Sequence, residues 1–249
     1  MMTSPIPNIC KSCALQCDSD SFCARLTTEE LIQLNGRSRS ASMKRGDTLS
    51  DEALLQWPIV AVSSGVLSMQ HLMADGRKSI ATLYMRGDII DLRGISNRNR
   101  CNLISLGNAT ICKLSPEIFE RVVLTNPSAQ NSVWQNLRAQ TFRAIDHSVD
   151  MSKKQALEKL ASFIIECNHR EFSMAKSTTI AKIPVRRVDL AEYIGVQPET
   201  VSRCFRDLQD RGIIEFEKLS VVKIHDVTTL REIANGDWRP NAQTVRATG

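Results

Sequence analysis

The feature that most constrains this chain is a change in the period of its apolar residues near Pro116. Between about Ser42 and Leu114, short apolar runs alternate with turn residues: Ile59 to Val62, Gly65 to Leu72, Lys78 to Met85, Ile89 to Leu92, Asn102 to Leu106 and Ala109 to Leu114. Strand-length runs at that spacing form an antiparallel β unit, because each buries a face and needs a partner strand for its backbone. Asp75-Gly76 is the clearest punctuation, read as the central pair of a type I′ hairpin turn in which both residues take positive φ. A sandwich or barrel-like roll follows. After Pro116 the spacing becomes three and four residues, the period of a helix. The chain is therefore α+β.

The helical part opens with a pattern from Pro127 to about Met151. Val133, Leu137, Thr141, Ala144, Ser148 and Met151 recur along one stripe, while Arg138, Arg143 and Asp146 fall elsewhere on the wheel. So narrow a stripe packs against another helix, of the same domain or of a second copy. A second helix covers Lys154 to Cys167 and buries Leu157, Leu160, Ala161, Ile164 and Cys167, and the polar residues 168–182 are expected to form a loop. Upstream of the roll, Leu26 to Leu34 reads as a short helix capped by Thr27 or Thr28 ahead of Glu29 and Glu30.

The segment from Val188 to Leu208 has the grammar of helix, tight turn, helix. Gly195 ends the first helix in a left-handed conformation, Pro198 fits the first turn of the second, and Ala191 is small where the second helix must approach. At about 100° per residue, Val201, Cys204, Phe205 and Leu208 form one face of the second helix. Glu199, Ser202, Arg203 and Arg206 gather on the other. A helix that reads the major groove needs this anchored back and polar front: Arg donates to guanine O6 and N7, Glu accepts from cytosine N4, and Ser reaches a base edge or a phosphate. The run Ile213 to Ile224 reads as a hairpin wing.

Cys10, Cys13, Cys17 and Cys23 stand among small and polar residues, with too few apolar side chains for a core. Something other than burial is expected to order residues 1–25. Met1 to Asn8 lacks the basic and apolar regions of a secretory signal, and no run approaches the ~18 to 20 apolar residues of a membrane span, so a cytoplasmic location is expected. In a reducing compartment clustered cysteines bind metal or sense redox state rather than form structural disulfides. Zinc is one such metal, although two C-x2-C pairs would favour it and the chain has one, Cys10 with Cys13. Cys167 and Cys204 fall on apolar helix faces and are read as core.

The net charge of +5, from 32 basic and 27 acidic residues, permits an anionic partner and identifies none. Enzymatic activity is not expected: His71, His147, His169 and His225 are dispersed, and no Gly-rich phosphate loop or nucleophile motif is present.

The order of roll, long helix and winged helix-turn-helix resembles the CRP/FNR family of bacterial transcription regulators over nearly the whole chain. In the roll the resemblance lies in Ser63-Ser64-Gly65-Val66-Leu67, Asp75-Gly76-Arg77-Lys78 and Met85-Arg86-Gly87-Asp88-Ile89-Ile90. In the reader it lies in Glu199-Thr200-Val201-Ser202-Arg203, similar to the recognition helix of the FNR branch. The resemblance implies a cysteine-rich sensor segment over 1–25 and a β-roll over 26–126 of the jelly-roll type that binds cyclic nucleotides elsewhere in the family. A dimerisation helix over 127–152 and a winged helix-turn-helix over 153–249 complete it. It implies a homodimeric activator on an interrupted DNA palindrome, working with RNA polymerase.

A cyclic-nucleotide ligand is not expected, since the family's Gly-Glu and Arg-Ser pairs are replaced by Gly87-Asp88 and Arg100-Cys101. The FNR branch implies instead an oxygen-labile 4Fe–4S cluster on three N-terminal cysteines and one from the roll. Here these are Cys13, Cys17, Cys23 and Cys112, with Cys10 as the alternative third N-terminal ligand and Cys101 as a weaker substitute for Cys112. Cys17-x5-Cys23 agrees with the family spacing, whereas Cys13-x3-Cys17 is one residue too long. In the family, loss of the cluster weakens the dimer; Ala144, where an acidic residue is common, implies a dimer less dependent on it.

Overall fold

In the computed structural model, residues 10, 13–16, 18–19, 21–49, 56–76, 78–93, 101–175 and 179–238 are described, the side chains of 171–175 excepted. Met1 to Asn8, Cys17 and Arg100 lie outside them. The chain divides into two units, Met1–Ile145 and Asp146–Gly249.

In the first unit, Thr27 opens helix α1 (Thr28–Gly36) with a reciprocal capping box, its hydroxyl accepting from Glu30 N–H at 3.3 Å and its own N–H reaching the Glu30 carboxylate at 2.8 Å. Such a pair satisfies two donors that the first turn leaves orphaned. Among the described residues seven strands follow: β1 (Ser38–Met43), β2 (Ile59–Ser64), β3 (Val66–Leu72), β4 (Lys78–Met85), β5 (Ile89–Asp91), β6 (Cys101–Ser105) and β7 (Ala109–Leu114). They form two antiparallel sheets, ordered β1-β7-β2-β5 and β4-β3-β6.

The apolar runs predict β2 to β7 closely. They do not predict most of β1, whose Ser-Arg-Ser-Ala-Ser-Met sequence lacks alternation; as an edge strand it needs only the backbone pairing from Ser38↔Leu114 to Met43↔Ala109. The hairpin at Asp75-Gly76 is wider than a two-residue turn. Leu72 pairs with Lys78, and Gly76, at φ +86°, donates its N–H to Met73 O at 3.1 Å.

Alternation along β2 and β7 divides the core in two. Val60, Val62, Ala109 and Ile111 face the roll interior with Met43, Leu67, Met69, Ile90, Leu92 and Leu103. Ile59, Ala61 and Leu114 point the other way, beneath α1, helix α2 (Pro116–Thr125) and the start of the 27-residue helix α3 (Pro127–Lys153). Leu15, Phe22 and Leu26 are buried in this second cluster at 3, 3 and 7 % exposure. This corrects the expectation that burial plays no part in ordering residues 1–25. Leu15 and Phe22 act as anchors within the segment and Leu26 just after it, because a core already exists for them to enter; at about 25 cal/mol per Å2 each contributes on the order of 1.5–3 kcal/mol.

In the second unit, helix α4 (Ala156–Ala175) runs past Cys167 into the segment expected to be a loop, and a short strand β8 (Ile180–Lys182) follows. A buried face of Leu160, Ala161, Ile164 and Cys167 holds the helix, and continuing a formed helix costs little even where the apolar period fades. Buried Asn168 donates to Ile180 O at 2.8 Å, joining helix and strand. Helices α5 (Arg187–Ile194) and α6 (Pro198–Asp210), strands β9 (Ile214–Lys218) and β10 (Val221–Ile224), and helix α7 (Val227–Asn235) complete the unit, with a sheet ordered β8-β10-β9. Asp226 caps α7, accepting from Thr229 N–H at 2.9 Å. Among the described residues no helix is long and apolar enough to cross a membrane.

Candidate nucleic-acid interface and thiol cluster

The turn between α5 and α6 is built on Gly195, at φ +67° and ψ +42°, the left-handed region that only glycine enters without steric cost. Its N–H and that of Val196 both reach Ala191 O, closing the end of α5. Pro198 opens α6, where a missing N–H breaks no bond. Val201, Phe205 and Leu208 are at most 2 % exposed, whereas Glu199, Ser202, Arg203 and Arg206 all stand in solvent. Ser202 Oγ donates to Pro198 O at 3.1 Å, and Arg203 Nη2 to Thr200 Oγ1 at 3.2 Å.

Sequence reasoning missed what fixes the back of α6 to the wing. The Arg187 guanidinium lies 3.5 Å from the ring centre of Phe205 and 4.9 Å from that of Phe216, and the two rings are 5.2 Å apart. Burial holds the Arg187 pKa below its usual value, and the aromatic faces supply part of the charge stabilisation that water would give. Behind the turn, the last residues of α3 pack within the same unit: His147 stacks on Tyr193 with ring centres 4.1 Å apart, and the Met151 side chain lies over Gly195. Burial lowers the His147 pKa, which keeps the stacked ring neutral. Cys167 is buried as expected and Cys204 half-buried.

Along α3 the expected stripe divides. Val133 is 7 % exposed and packs into the first unit's own core, so it is not free to face a partner. Leu137, Thr141, Ala144, Ser148 and Met151 are exposed. Beside them stand residues that the stripe omits: Trp134 at 61 %, Phe142 at 58 %, Ile145 at 52 % and Val149 at 50 % exposure. The signal was available as a second three-and-four series one position along. Which series faces solvent follows from Asn136, Gln140 and Arg143, which bond to the roll on the opposite side of the helix.

The thiols of Cys10, Cys13, Cys23 and Cys112 are electrostatic neighbours. Cys23 and Cys112 are pushed up first by burial and then by the other cysteines, Cys112 to about 11 despite a hydrogen bond from Ser38; Cys10 is raised by burial and by Cys13. Cys13 Sγ lies 3.4 Å from Ser63 Oγ. The roll's two faces separate the remaining candidates: Cys112 packs with Cys13 and Cys23 on the helix-covered face, while Cys101 packs into the roll interior. Among the described residues no three His, Cys, Asp or Glu side chains close into a metal-ligating group. The histidines remain separate from it, His225 being paired with Glu215 at 2.9 Å.

Two helices joined by a tight turn, a polar exposed front on the second and a β wing after it define a DNA-binding transcription regulator of the winged helix-turn-helix class. Residues 158–233 match the Crp-like helix-turn-helix domain. The nitrogen fixation regulation protein FixK of Bradyrhizobium diazoefficiens is 26 % identical over 86 % of this chain and 89 % of its own length. The transcriptional activator FnrA of Stutzerimonas stutzeri is 24 % identical over 80 % of this chain and 81 % of its own. FixK2 from Bradyrhizobium japonicum shares the fold at a TM-score of 0.64 and 22 % identity, covering 79 % of this chain and 96 % of that one. A CRP-family regulator from Thermus thermophilus shares it at 0.52 and 17 %, covering 78 % and 96 %. Residues 158–233 are thus a Crp-like helix-turn-helix domain, and over most of its length the chain is similar to transcription regulators of the FixK and FnrA kind.

Proposed function

We propose that the chain binds a palindromic DNA site as a homodimer and that its assembly responds to an oxygen-labile 4Fe–4S cluster held by Cys13, Cys17, Cys23 and Cys112, with Cys10 as the alternative third N-terminal ligand. The observation that carries the sensor half is the electrostatic coupling of Cys10, Cys13, Cys23 and Cys112. Cys17 lies outside the described residues, so Cys10 remains the alternative third N-terminal ligand. Burial and mutual repulsion raise the Cys10, Cys23 and Cys112 thiols, and a bound metal cluster would supply the positive charge that deprotonates its ligands. Closure of the ligand set is then coupled to binding.

In the reader half, Glu199, Ser202, Arg203 and Arg206 present donors and acceptors to base edges and phosphates. A two-fold pairing through Trp134, Leu137, Thr141, Phe142, Ala144, Ile145, Ser148, Val149 and Met151 presents two copies of α6 to major grooves about 34 to 36 Å apart. Contact with RNA polymerase from the bound dimer completes the activator reading suggested by the named relatives.

A structural zinc site is favoured by one observation, the turn that brings Cys13 N–H to Cys10 O at 3.2 Å in a C-x2-C pair. A cluster-free redox switch is disfavoured, because thiols held protonated oxidise slowly. Anaerobic purification separates the readings. The expected product is brown, carries about four iron and four sulfide per chain, and binds DNA more tightly before air exposure than after it. Cys23→Ser and Cys112→Ser should each lose the iron. Colourless anaerobic protein with a single zinc would overturn the sensor assignment.

A further inference from the structure

We infer that the turn Arg86-Gly87-Asp88 is a positioning element through which the cysteine segment sets the placement of α3. The inference rests on the sensor reading above and adds to it a physical route inside the first unit. On the segment side, Asp18 is nearly buried at 10 % side-chain exposure, and its Oδ2 lies 3.9 Å from Arg86 Nη2. A Cβ built on Gly87 would stand 3.9 Å from the same oxygen. Arg86 Nε is buried with no hydrogen-bond partner among the described residues. Cys13 touches Ser63, the neighbour in β2 of Val62, which holds the turn by two backbone bonds: Gly87 N–H to Val62 O and Val62 N–H to Asp88 O, each 2.9 Å.

On the helix side, three residues of α3 spaced along one face grip the same turn and the start of β5. Asn136 Nδ2 donates to Gly87 O at 3.1 Å and its Oδ1 accepts from Ile89 N–H at 2.9 Å. Gln140 Nε2 donates to Ile89 O at 2.8 Å. Arg143 Nη2 meets Asp88 Oδ1 at 2.7 Å, and Asp88 Oδ2 accepts from Met85 N–H at 2.9 Å. Asp88 is 4 % exposed on its side chain. A carboxylate so buried is held by its partners, and it resists any movement that would leave it unpaired.

The turn is thus shared: one flank touches the segment that carries three of the thiols, and the other anchors the helix whose opposite face is exposed and apolar. Coupling between two sites requires contacts that differ between the two states. The Asp18–Arg86 and Cys13–Ser63 contacts exist only while the segment is docked, and their loss frees the turn that Asn136, Gln140 and Arg143 hold. Arg86, Asn136 and Gln140 act here as positioning residues.

The test is the ratio of DNA affinities before and after air exposure, measured on full-length protein beside iron content and thermal unfolding. Asn136→Ala and Arg86→Ala should retain iron and fold while that ratio falls by about fivefold or more, the effect of losing one or two hydrogen bonds. Arg86→Lys, which keeps a cation opposite Asp18, should retain the wild-type ratio. Variants that hold iron and respond to air as the wild type does would overturn the relay and leave the sensor standing. A wild type without iron and without response to air would overturn the sensor reading and the relay with it.

Discussion

Gly195→Ala tests the turn on which the DNA-reading element depends. Two penalties follow from the geometry. Alanine at φ +67° occupies the left-handed region at roughly 1–2 kcal/mol. Its Cβ would also stand 2.5 Å from Met151 Cε and 3.4 Å from its Sδ, so the methionine must leave its rotamer. Met151 is 39 % exposed and the clashing atom is the far end of a flexible chain, so the second penalty is small, about 0.5–1 kcal/mol. The sum is about 1.5–3 kcal/mol, to be read from urea unfolding of the full-length protein. In the Met151→Ala background the clash is gone and the φ penalty stays, so the two substitutions couple by about 0.5–1 kcal/mol. Gly195→Asn should cost less than Gly195→Ala, since asparagine tolerates the left-handed region better. If Gly195→Ala unfolds within about 0.3 kcal/mol of wild type, the turn is not left-handed and the reasoning fails.

Arg203→Ala removes an exposed side chain, so unfolding should be unchanged while discrimination between specific and random duplex drops; a lost bidentate base contact is worth about 1–3 kcal/mol, and retained discrimination would refute the role. Ile145→Asp should leave the fold intact at 52 % exposure but place an unpaired carboxylate in the proposed seam, weakening self-association by about two orders of magnitude in sedimentation. Leu124→Asp, on α2 at 77 % exposure, is the control that should not change it. In metal-free protein the raised thiols predict a pH dependence with a definite sign. Cys112 is pushed from about 9 to about 11, and Cys23 and Cys10 are raised in the same direction. The stability they contribute is therefore full below about pH 9 and is lost as the pH climbs through 11. Urea unfolding from pH 8 to 11 should show that fall, and a flat profile would contradict the buried, mutually repelling arrangement.

Much of the architecture was legible in particular residues. Six strands fall where apolar runs stop at turn residues. Gly195, Pro198 and the Thr27–Glu30 box mark helix ends by local sterics and hydrogen bonding alone. What was not legible involves contacts between distant segments. Residues 15, 22 and 26 looked too sparse to bury anything, since the core they enter is supplied by α1, α2 and the β2–β7 face. β1 carries no alternation because an edge strand is held by its backbone. The polar stretch after Cys167 hid the last turns of α4, whose buried Asn168 donates to Ile180 of β8.

The amino-acid order by itself determined the periods, the caps and the turn glycine, because these depend on φ, ψ and neighbours within a few positions. Only the folded chain decided which side of each element is taken. Val133 and Trp134 are adjacent, yet one lies in the core and the other in solvent, because Asn136, Gln140 and Arg143 are bonded to the roll. Cys101 and Cys112 both sit on strands, yet only Cys112 shares a face with Cys13 and Cys23, because the pleat turns it toward the covering helices. Such choices are set by which distant surfaces compete for each face, a quantity that no local window of residues contains.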